Sequence, residues 1–221
     1  MTDLKLAVFD VDGTLVDSEY TIVRAMSEAW RRSGVEVPIP ADIRRIIGLS
    51  LSDACAALMP WAPRDTQRAL AQAYTDAWRS FSFLPDSYDP IFPGVAEALD
   101  RLEQDGWLLG IATGKSRHGL MSVLDANDLR GRFVTIQTAD DNPGKPHPAM
   151  LLRAANEIGV DIDNVVMVGD TAFDMEMAIN AKAKPVGVSW GYHTLDDLKR
   201  AGAMVVLDSF DDLPETLAGL T

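Results

Sequence analysis

Apolar and polar positions along the chain fall into two alternating patterns. Short apolar runs without clean alternation, typical of strands buried on both faces of a parallel sheet, are separated from about residue 107 onward by segments of helical spacing. The predicted strands are residues 4–10, 107–113, 133–138, 164–170, 185–190 and 203–208. This alternation of strand and helix predicts an α/β fold with a predominantly parallel, doubly wound sheet.

One long interval interrupts this rhythm. Between about residues 17 and 90 there is no strand signal, and the apolar residues recur at three- and four-residue steps, most clearly over residues 70–81. Turn-forming residues at 85–90 predict the return to the sheet. Trp30 and Trp78 are interpreted as core residues on helix faces rather than as ligand-stacking aromatics. The predicted organisation is an α/β core domain of residues 1–16 and 91–221, with an inserted helical domain of residues 17–90.

Composition narrows the range of partners. The 33 acidic residues outnumber the 20 lysines and arginines, and the formal charge of −13 argues against a nucleic-acid partner. Cys55 is the only cysteine, so we expect it to be a buried residue in a reducing, cytoplasmic compartment. The first apolar run is too short for a signal sequence or a membrane span, which predicts no membrane partner.

Polar residues of a few chemical types follow four of the predicted strands. They are Asp10 with Asp12, Thr113 with Gly114, Lys145, and Asp170 with Asp174. In open α/β sheets, ligands bind outside the carboxyl ends of the strands, so these side chains are expected to converge. A lone aspartate there would be an ordinary turn former, but Asp10 and Asp12 repel one another on an extended chain unless a cation or a shared proton intervenes.

The residue types indicate phosphoryl chemistry. Carboxylates with room for water suit Mg²⁺, while a lysine and a threonine hydroxyl can hold phosphoryl oxygens and offset their charge. A carboxylate can also attack phosphorus while a second one protonates the departing alkoxide and later activates water. Two aspartates in "FDVDGT" therefore predict one nucleophile and one proton shuttle.

Four ordered motifs carry a family resemblance. "FDVDGTLVDS", "IATGKS", "GKPHP" and "GDTAFDMEMA" resemble, in order and spacing, the motifs of the haloacid dehalogenase (HAD) superfamily. The resemblance implies a HAD-like Rossmannoid core with a small α-helical cap, Mg²⁺ as cofactor and a small phosphorylated metabolite as substrate. It implies the following roles: Asp10 as nucleophile, Asp12 as general acid and base, Thr113, Gly114 and Lys145 as phosphate-binding residues, and Asp10, Asp12, Asp170 and Asp174 as the metal site.

Subfamily features favour a phosphatase. Dehalogenases of this superfamily lack the second aspartate, which is present here as Asp12. Phosphonoacetaldehyde hydrolases need a lysine in the cap, and residues 15–90 contain none. The segments "PVGVSWGYHT" and "VVLDSFDDL" are similar to those of phosphoglycolate phosphatases and related pyrophosphatases, which makes 2-phosphoglycolate the first candidate substrate.

Several alternatives stay open at this stage. A sugar phosphomutase or an inorganic pyrophosphatase could use the same scaffold, and a phosphate-binding protein could keep the fold without turnover. Arg44, Arg45 and Gly48 in the cap are hypothesised to select the substrate, with one arginine contacting a substrate carboxylate or distal phosphate. Lys182 stands where relatives carry a glycine, so a left-handed backbone there would cost about 1 kcal/mol.

Overall fold

A computed structural model describes residues 4–81 and 89–220, and its centre is a six-stranded sheet in which all neighbouring strands are parallel. The strands are β1 (Lys5–Phe9), β2 (Trp107–Thr113), β3 (Thr135–Thr138), β4 (Val165–Gly169), β5 (Lys184–Val188) and β6 (Val205–Leu207). Their order across the sheet is β3-β2-β1-β4-β5-β6. All six predicted strands are confirmed, with ends within two residues of those expected.

Ten α-helices surround or extend from this sheet in the described part of the chain. They are α1 (Glu19–Arg32), α2 (Pro40–Arg44), α3 (Leu51–Leu58), α4 (Arg64–Phe81), α5 (Val95–Gln104), α6 (Arg117–Ala126), α7 (Ala149–Ile158), α8 (Ala172–Ala181), α9 (Leu195–Arg200) and α10 (Leu213–Leu220). Short 3₁₀ turns occupy Ile162–Asn164 and Phe210–Asp212. Most of the turn expected at 85–90 lies outside the described residues. None of the helices in the described ranges has the length and apolar character needed to cross a membrane.

Alternation of side chains along the strands builds two apolar layers. Phe9 packs with Ile111 and Val168 on one face, whereas Val8 packs with Met167 and Met150 on the other. Because both faces are covered, the strands read as continuous apolar runs in the sequence. The central strand β1 pairs with β2 on one side and β4 on the other, which places the residue after Phe9 in the middle of the carboxyl edge of the sheet.

Helices α1 to α4 form a third apolar cluster. Met26, Trp30, Ile43, Cys55 and Leu70 are all buried in it. Trp30 is confirmed as a core residue, Cys55 is buried as expected, and the helix predicted over 70–81 is the second half of α4. Trp78, which was expected in the same core, is only partly buried. The cluster gives this segment an apolar core distinct from the two layers of the sheet.

The end of α8 has the conformation expected to be strained. Lys182 closes the helix with φ +65°, in the left-handed region that favours glycine. Its backbone amide still donates to carbonyl oxygens of the last turn, so the hydrogen bonds that end the helix are formed although the backbone conformation of Lys182 is unfavourable. The lysine therefore affects the local stability of this turn, which is separated from the carboxyl edge of the sheet by the length of α8.

Candidate active site

The ends of three neighbouring strands bring the predicted residues together. Asp10 follows β1, and its backbone amide donates a hydrogen bond to the Val168 carbonyl oxygen at 2.9 Å. Asp170 follows β4 directly, and Thr113 is the last residue of β2. Because β1 lies between β2 and β4 in parallel register, these side chains emerge side by side at one edge.

Three buried carboxylates form the centre of the site. Oxygen atoms of Asp10, Asp170 and Asp174 lie within 4.8 Å of one another. The carboxylate of Asp170 is fixed by the Thr14 hydroxyl at 2.8 Å and by the backbone amide of Tyr192 at 2.9 Å. These contacts leave the three acids at most 1% exposed and facing each other.

Asp174 is held by the start of α8. Its Oδ2 atom accepts hydrogen bonds from the backbone amide and the hydroxyl of Thr171, at 3.0 and 2.7 Å. This is a capping box, in which the residue before the helix and the third helical residue satisfy one another's backbone amides. The same carboxylate thus caps the helix with one oxygen and directs the other into the site.

Lys145 is the counter-ion of this cluster. Its Nζ atom lies 2.8 Å from Oδ1 of Asp10 and 2.6 Å from Oδ1 of Asp174, and the residue is 2% exposed. Burial by itself would lower the pKa of the lysine, but the carboxylates of Asp10 and Asp174 raise it above its ordinary value. Lys145 therefore remains a cation in the interior.

The cluster carries more negative charge than the lysine offsets. Burial raises the pKa of Asp10 to about 7 against the opposing effect of Lys145, and burial together with the neighbouring carboxylate of Asp174 raises the pKa of Asp170 well above its ordinary value. Oδ2 of Asp10 is buried and accepts no hydrogen bond from the described residues. Three carboxylates, one cation and an unsatisfied oxygen fit a divalent metal ion, which Asp10, Asp170 and Asp174 could hold.

Asp12 lies outside this three-carboxylate group. Its Oδ1 atom accepts a hydrogen bond from the Ser18 hydroxyl at 2.6 Å and lies 2.9 Å from Nζ of Lys115. The Tyr192 hydroxyl is 3.3 Å from the same serine oxygen. Asp12 pulls the pKa of Lys115 above its ordinary value although burial opposes this shift. The carboxylate is therefore oriented by groups that do not belong to the cluster around Asp10.

Sequence reasoning did not assign these partners of Asp12. Lys115 and Ser18 are part of two of the four motifs, so the sequence carried a usable signal for both. Tyr192 lies in the quoted segment "PVGVSWGYHT", but nothing in that segment indicated a contact with Ser18, which is 174 residues away.

The remaining predicted phosphate-binding residues border the same edge. Thr113 is fully buried, and its hydroxyl accepts a hydrogen bond from the backbone amide of Lys115 at 3.1 Å. A Cβ atom on Gly114 would lie 2.4 Å from the backbone oxygen of Leu49, so only glycine permits this approach of the helical segment. Gly48 packs similarly on Thr171. The loop at residues 48–49 therefore contacts the sheet domain on both sides of the site.

The cap residues expected to select substrate are not all at the site. Gly48 lines a cavity of about 340 Å³ between the helical segment α1 to α4 and the start of α6, and Asp12 lies in the wall of that cavity. Arg44 instead pairs with Glu19 at 2.6 Å, and the side chain of Arg45 is 80% exposed, 4.0 Å from Asp42. Neither arginine is among the described residues that line the cavity, since the side chains of Arg44, at the end of α2, and of Arg45, the residue after it, are exposed and pair with Glu19 and Asp42.

Comparison with known proteins gives a consistent family. A family model described as haloacid dehalogenase-like hydrolase matches residues 7–188. The chain is 36% identical over 211 residues to a probable phosphatase IndB of Dickeya dadantii, covering 94% of this chain and 91% of the relative. It is 33% identical over 217 residues to a phosphoglycolate phosphatase of Caulobacter vibrioides, covering 94% and 88%.

The fold has a similar counterpart among solved structures. A hydrolase from Pseudomonas syringae superposes with a TM-score of 0.86 at 30% identity, covering 97% of this chain and 98% of that one. The likeness extends over the sheet and the helical insertion alike.

Proposed function

This chain belongs to the haloacid dehalogenase-like hydrolase family, and we propose that it is a Mg²⁺-dependent phosphatase that hydrolyses a small phosphomonoester through an aspartyl phosphate on Asp10. The observation that carries the proposal is the buried group of Asp10, Lys145, Asp170 and Asp174, with Asp12 held separately beside it. One carboxylate is thus available for attack and another for proton transfer. Phosphatase names among the relatives support the same reaction class.

The first step is attack by Asp10 on phosphorus. Oδ2 of Asp10 has no hydrogen-bond donor in the described structure, which leaves it available as the attacking atom or as a metal ligand. In this proposal Lys145, the hydroxyl of Thr113 and the backbone amide of Gly114 hold the non-bridging phosphoryl oxygens, which the contact of Lys145 with Asp10 and the burial of Thr113 support. A bound Mg²⁺ would supply the positive charge that brings the phosphate next to three carboxylates.

Asp12 transfers the proton in both steps. It protonates the oxygen of the departing alcohol and then removes a proton from the water that hydrolyses the aspartyl phosphate. The Ser18 hydroxyl and the Lys115 ammonium group fix the carboxylate for this role, since both contact Oδ1 and leave Oδ2 to the substrate. Ser18 and Lys115 therefore act as positioning residues.

We further propose that residues 17–90 act as a cap domain on a core of residues 1–16 and 91–221. The supporting observations are the separate apolar cluster of α1 to α4 and the contact of residues 48–49 with Gly114 and Thr171. Closure of the cap would exclude bulk water during phosphoryl transfer, and opening would release the alcohol. Sequence similarity makes 2-phosphoglycolate the reference substrate.

Phosphate release with and without Mg²⁺ tests this function. We expect turnover of phosphomonoesters that requires the metal, loss of at least about 10³-fold in Asp10→Asn, and slowing of both steps by about 10²- to 10⁴-fold in Asp12→Ala. Asp208→Asn is the matched control, because that exposed carboxylate only accepts a hydrogen bond from Ser189. Circular dichroism must show that each variant is folded.

Three results would contradict the proposal. Retained turnover in folded Asp10→Asn would exclude an aspartyl phosphate at that residue. Conversion of a sugar phosphate into its isomer without free phosphate would identify a phosphomutase instead. Failure of every ester in the presence of Mg²⁺ would favour a phosphate-binding protein without turnover.

A further inference from the structure

We propose that the alcohol released by this phosphatase is uncharged and has an apolar body, such as an aryl-methyl group, rather than a carboxylate or a polyol. The inference rests on the proposed function and specifies its substrate class. It derives from the cavity of about 340 Å³ between the cap helices and the start of α6. The similarity to phosphoglycolate phosphatases would by itself favour an anionic leaving group.

The position of the cavity identifies its occupant. Asp12 and the Gly114–Lys115 segment form part of its wall, next to the cluster around Asp10. A phosphoryl group held by Lys145 and attacked by Asp10 would direct its ester oxygen towards Asp12, the group that protonates it. The carbon skeleton bound to that oxygen must then extend into the cavity, so its wall contacts the leaving group.

The wall contributed by the cap is predominantly apolar. It includes Ile22 and Met26 from α1, Ile47 and Leu51 from the following loop and α3, and Trp78 from α4. Ile22, Met26 and Ile47 are at most 7% exposed, so they belong to the apolar cluster of the cap and cannot turn away from the cavity. Binding of a leaving group against these side chains is favoured when the leaving group itself buries apolar surface.

The ionisable groups in the wall do not offer an anion a dedicated partner. Nζ of Lys115 already lies 2.9 Å from Asp12. Arg79 and His118 are exposed, in the last turn of α4 and the first turn of α6, and His118 makes an edge contact with Trp78. Asp140 adds negative charge on the same exposed side. A carboxylate drawn into this cavity would lose its water without gaining a dedicated cation.

Tyr74 provides the cavity with a neutral polar group. Burial raises the pKa of its phenol to about 12, so the hydroxyl stays protonated and can donate or accept a single hydrogen bond. Apolar walls with few fixed polar groups are typical of sites for uncharged organic molecules. Glycolate, with its few non-hydrogen atoms, would leave most of this volume unfilled.

A matched pair of esters tests the inference. The holoenzyme with Mg²⁺ is assayed on benzyl phosphate and on 2-phosphoglycolate, which share the phosphate and the first carbon and differ in the group beyond it. We expect kcat/KM to be at least 10-fold higher for benzyl phosphate. Glucose 6-phosphate represents the polyols and is expected to rank with phosphoglycolate.

Two tryptophan variants locate the selectivity. Trp78→Ala removes an aromatic wall of the cavity and should lower the ratio of the two kcat/KM values at least fivefold. Trp61→Ala removes a tryptophan of the same helical segment that is 78% exposed and does not line the cavity, so the ratio should not change. Thermal unfolding of both variants monitors cap stability, and the ratio is insensitive to the fraction of folded enzyme.

Binding of non-hydrolysable analogues separates this inference from the proposed function. 2-Phenylethylphosphonate is the analogue of benzyl phosphate, and 3-phosphonopropionate is that of 2-phosphoglycolate; in each, a methylene group replaces the ester oxygen. Calorimetry in the presence of Mg²⁺ should show at least 10-fold tighter binding of the phenyl compound. If no ester is hydrolysed but this preference is found, the proposed function fails and the cavity assignment holds. Equal or tighter binding of the carboxylate compound, or equal or faster turnover of phosphoglycolate, would overturn the inference.

Discussion

Gly13 follows Asp12 directly, and its surroundings accept no other residue type. Its φ of +81° is in the left-handed region, and a Cβ atom there would lie 2.3 Å from Oδ2 of Asp170 and 2.6 Å from the ring of Tyr192. Both the backbone and the space therefore require glycine. The turn that follows Asp12 and leads to Thr14 therefore depends on a glycine at position 13.

Gly13→Ala is expected to lower kcat/KM by about 10²-fold or more, since a displacement of about 1 Å at a reacting group has an effect of that size. Gly34→Ala is the matched control, because Gly34 also has a positive φ, +68°, but no atom within 4 Å of the added methyl group. It should lose about 1 kcal/mol of unfolding free energy and keep full activity. Equal activity losses in the two variants would show that backbone strain alone, and not the approach to Asp170, is responsible.

At this scale, the sequence predicted the residues that end strands and those that belong to the four motifs, such as Lys145 and Asp174, and it missed the contact of Tyr192 with Ser18. Asp10, Thr113 and Asp170 follow apolar runs directly, so their location needed only the strand pattern. Tyr192 comes from a loop after β5, and nothing in its neighbours indicates a contact with Ser18. The arginines of α2 share a short helix whose orientation depends on packing, which a hydrophobic pattern of five residues cannot define.

Among the elements, the segment that leads from helices α1 to α4 back to the sheet is held by a buried acid, Asp89. Its Oδ1 atom accepts a hydrogen bond from the Thr21 hydroxyl of α1 at 2.7 Å, and its backbone carbonyl oxygen accepts one from the Asn127 side chain after α6 at 3.0 Å. Burial raises the pKa of Asp89 to about 6, partly offset by the Thr21 hydrogen bond. The charged form of this carboxylate therefore costs stability at the point where the chain contacts both α1 and the end of α6.

The sign of the pH effect follows from this shift. Between about pH 4 and 6 the folded state holds a proton on Asp89 that the unfolded state has released, so the contribution of this group to stability falls as the pH rises through that window. The loss approaches about 3 kcal/mol above pH 6. Asp89→Asn keeps an acceptor for Thr21 and removes the charge, and should be more stable than the parent at pH 8 but not at pH 4.

Urea unfolding at pH 4, 6 and 8 measures the free energy of unfolding of the variant and of the parent protein. The difference between the two at each pH removes the contribution of the other carboxylates, which both proteins share. Asp65→Asn, on the exposed surface of α4, serves as the control and should show no pH-dependent gain. A constant difference between Asp89→Asn and the parent at all three pH values would show that Asp89 does not titrate in this range.

Helices and strands could be predicted where their buried side chains produce a recognisable apolar pattern in the sequence. The strands, covered on both faces, give continuous apolar runs, and α4 is long enough for its periodicity to be read. The five residues of α2 and the eight of α3 were not resolved as separate helices, because they are too short to show a period. Lys182 could be identified only as a position where a left-handed backbone would be unfavourable, and the structure confirms that conformation.

For the molecule as a whole, the charge of the site predicts that a bound cation stabilises the folded protein. Three buried carboxylates and one lysine leave an excess of negative charge in the folded state that the unfolded chain does not suffer. A cation that binds only the folded protein should therefore raise its melting temperature.

Addition of Mg²⁺ after treatment with EDTA should raise Tm by roughly 5 to 10 °C when the metal is about 100-fold above its Kd. Asp170→Asn should abolish most of this shift, and Asp208→Asn, altered at an exposed carboxylate, should retain it. The scans require no substrate and are independent of turnover. A full shift in Asp170→Asn would place the metal elsewhere.

The order of the strands also determines when the site can form during synthesis. β1 is the first of the six strands to be synthesised, yet it becomes a central strand, and the Thr14 hydroxyl can donate its hydrogen bond only after Asp170, 156 residues later, has been made. Such distant pairing is slow to form and leaves an apolar strand exposed to chaperones or to other nascent chains. A chain interrupted anywhere before β4 carries Asp10 but lacks Asp170 and Asp174, so the three-carboxylate cluster can form only once most of these residues have been translated.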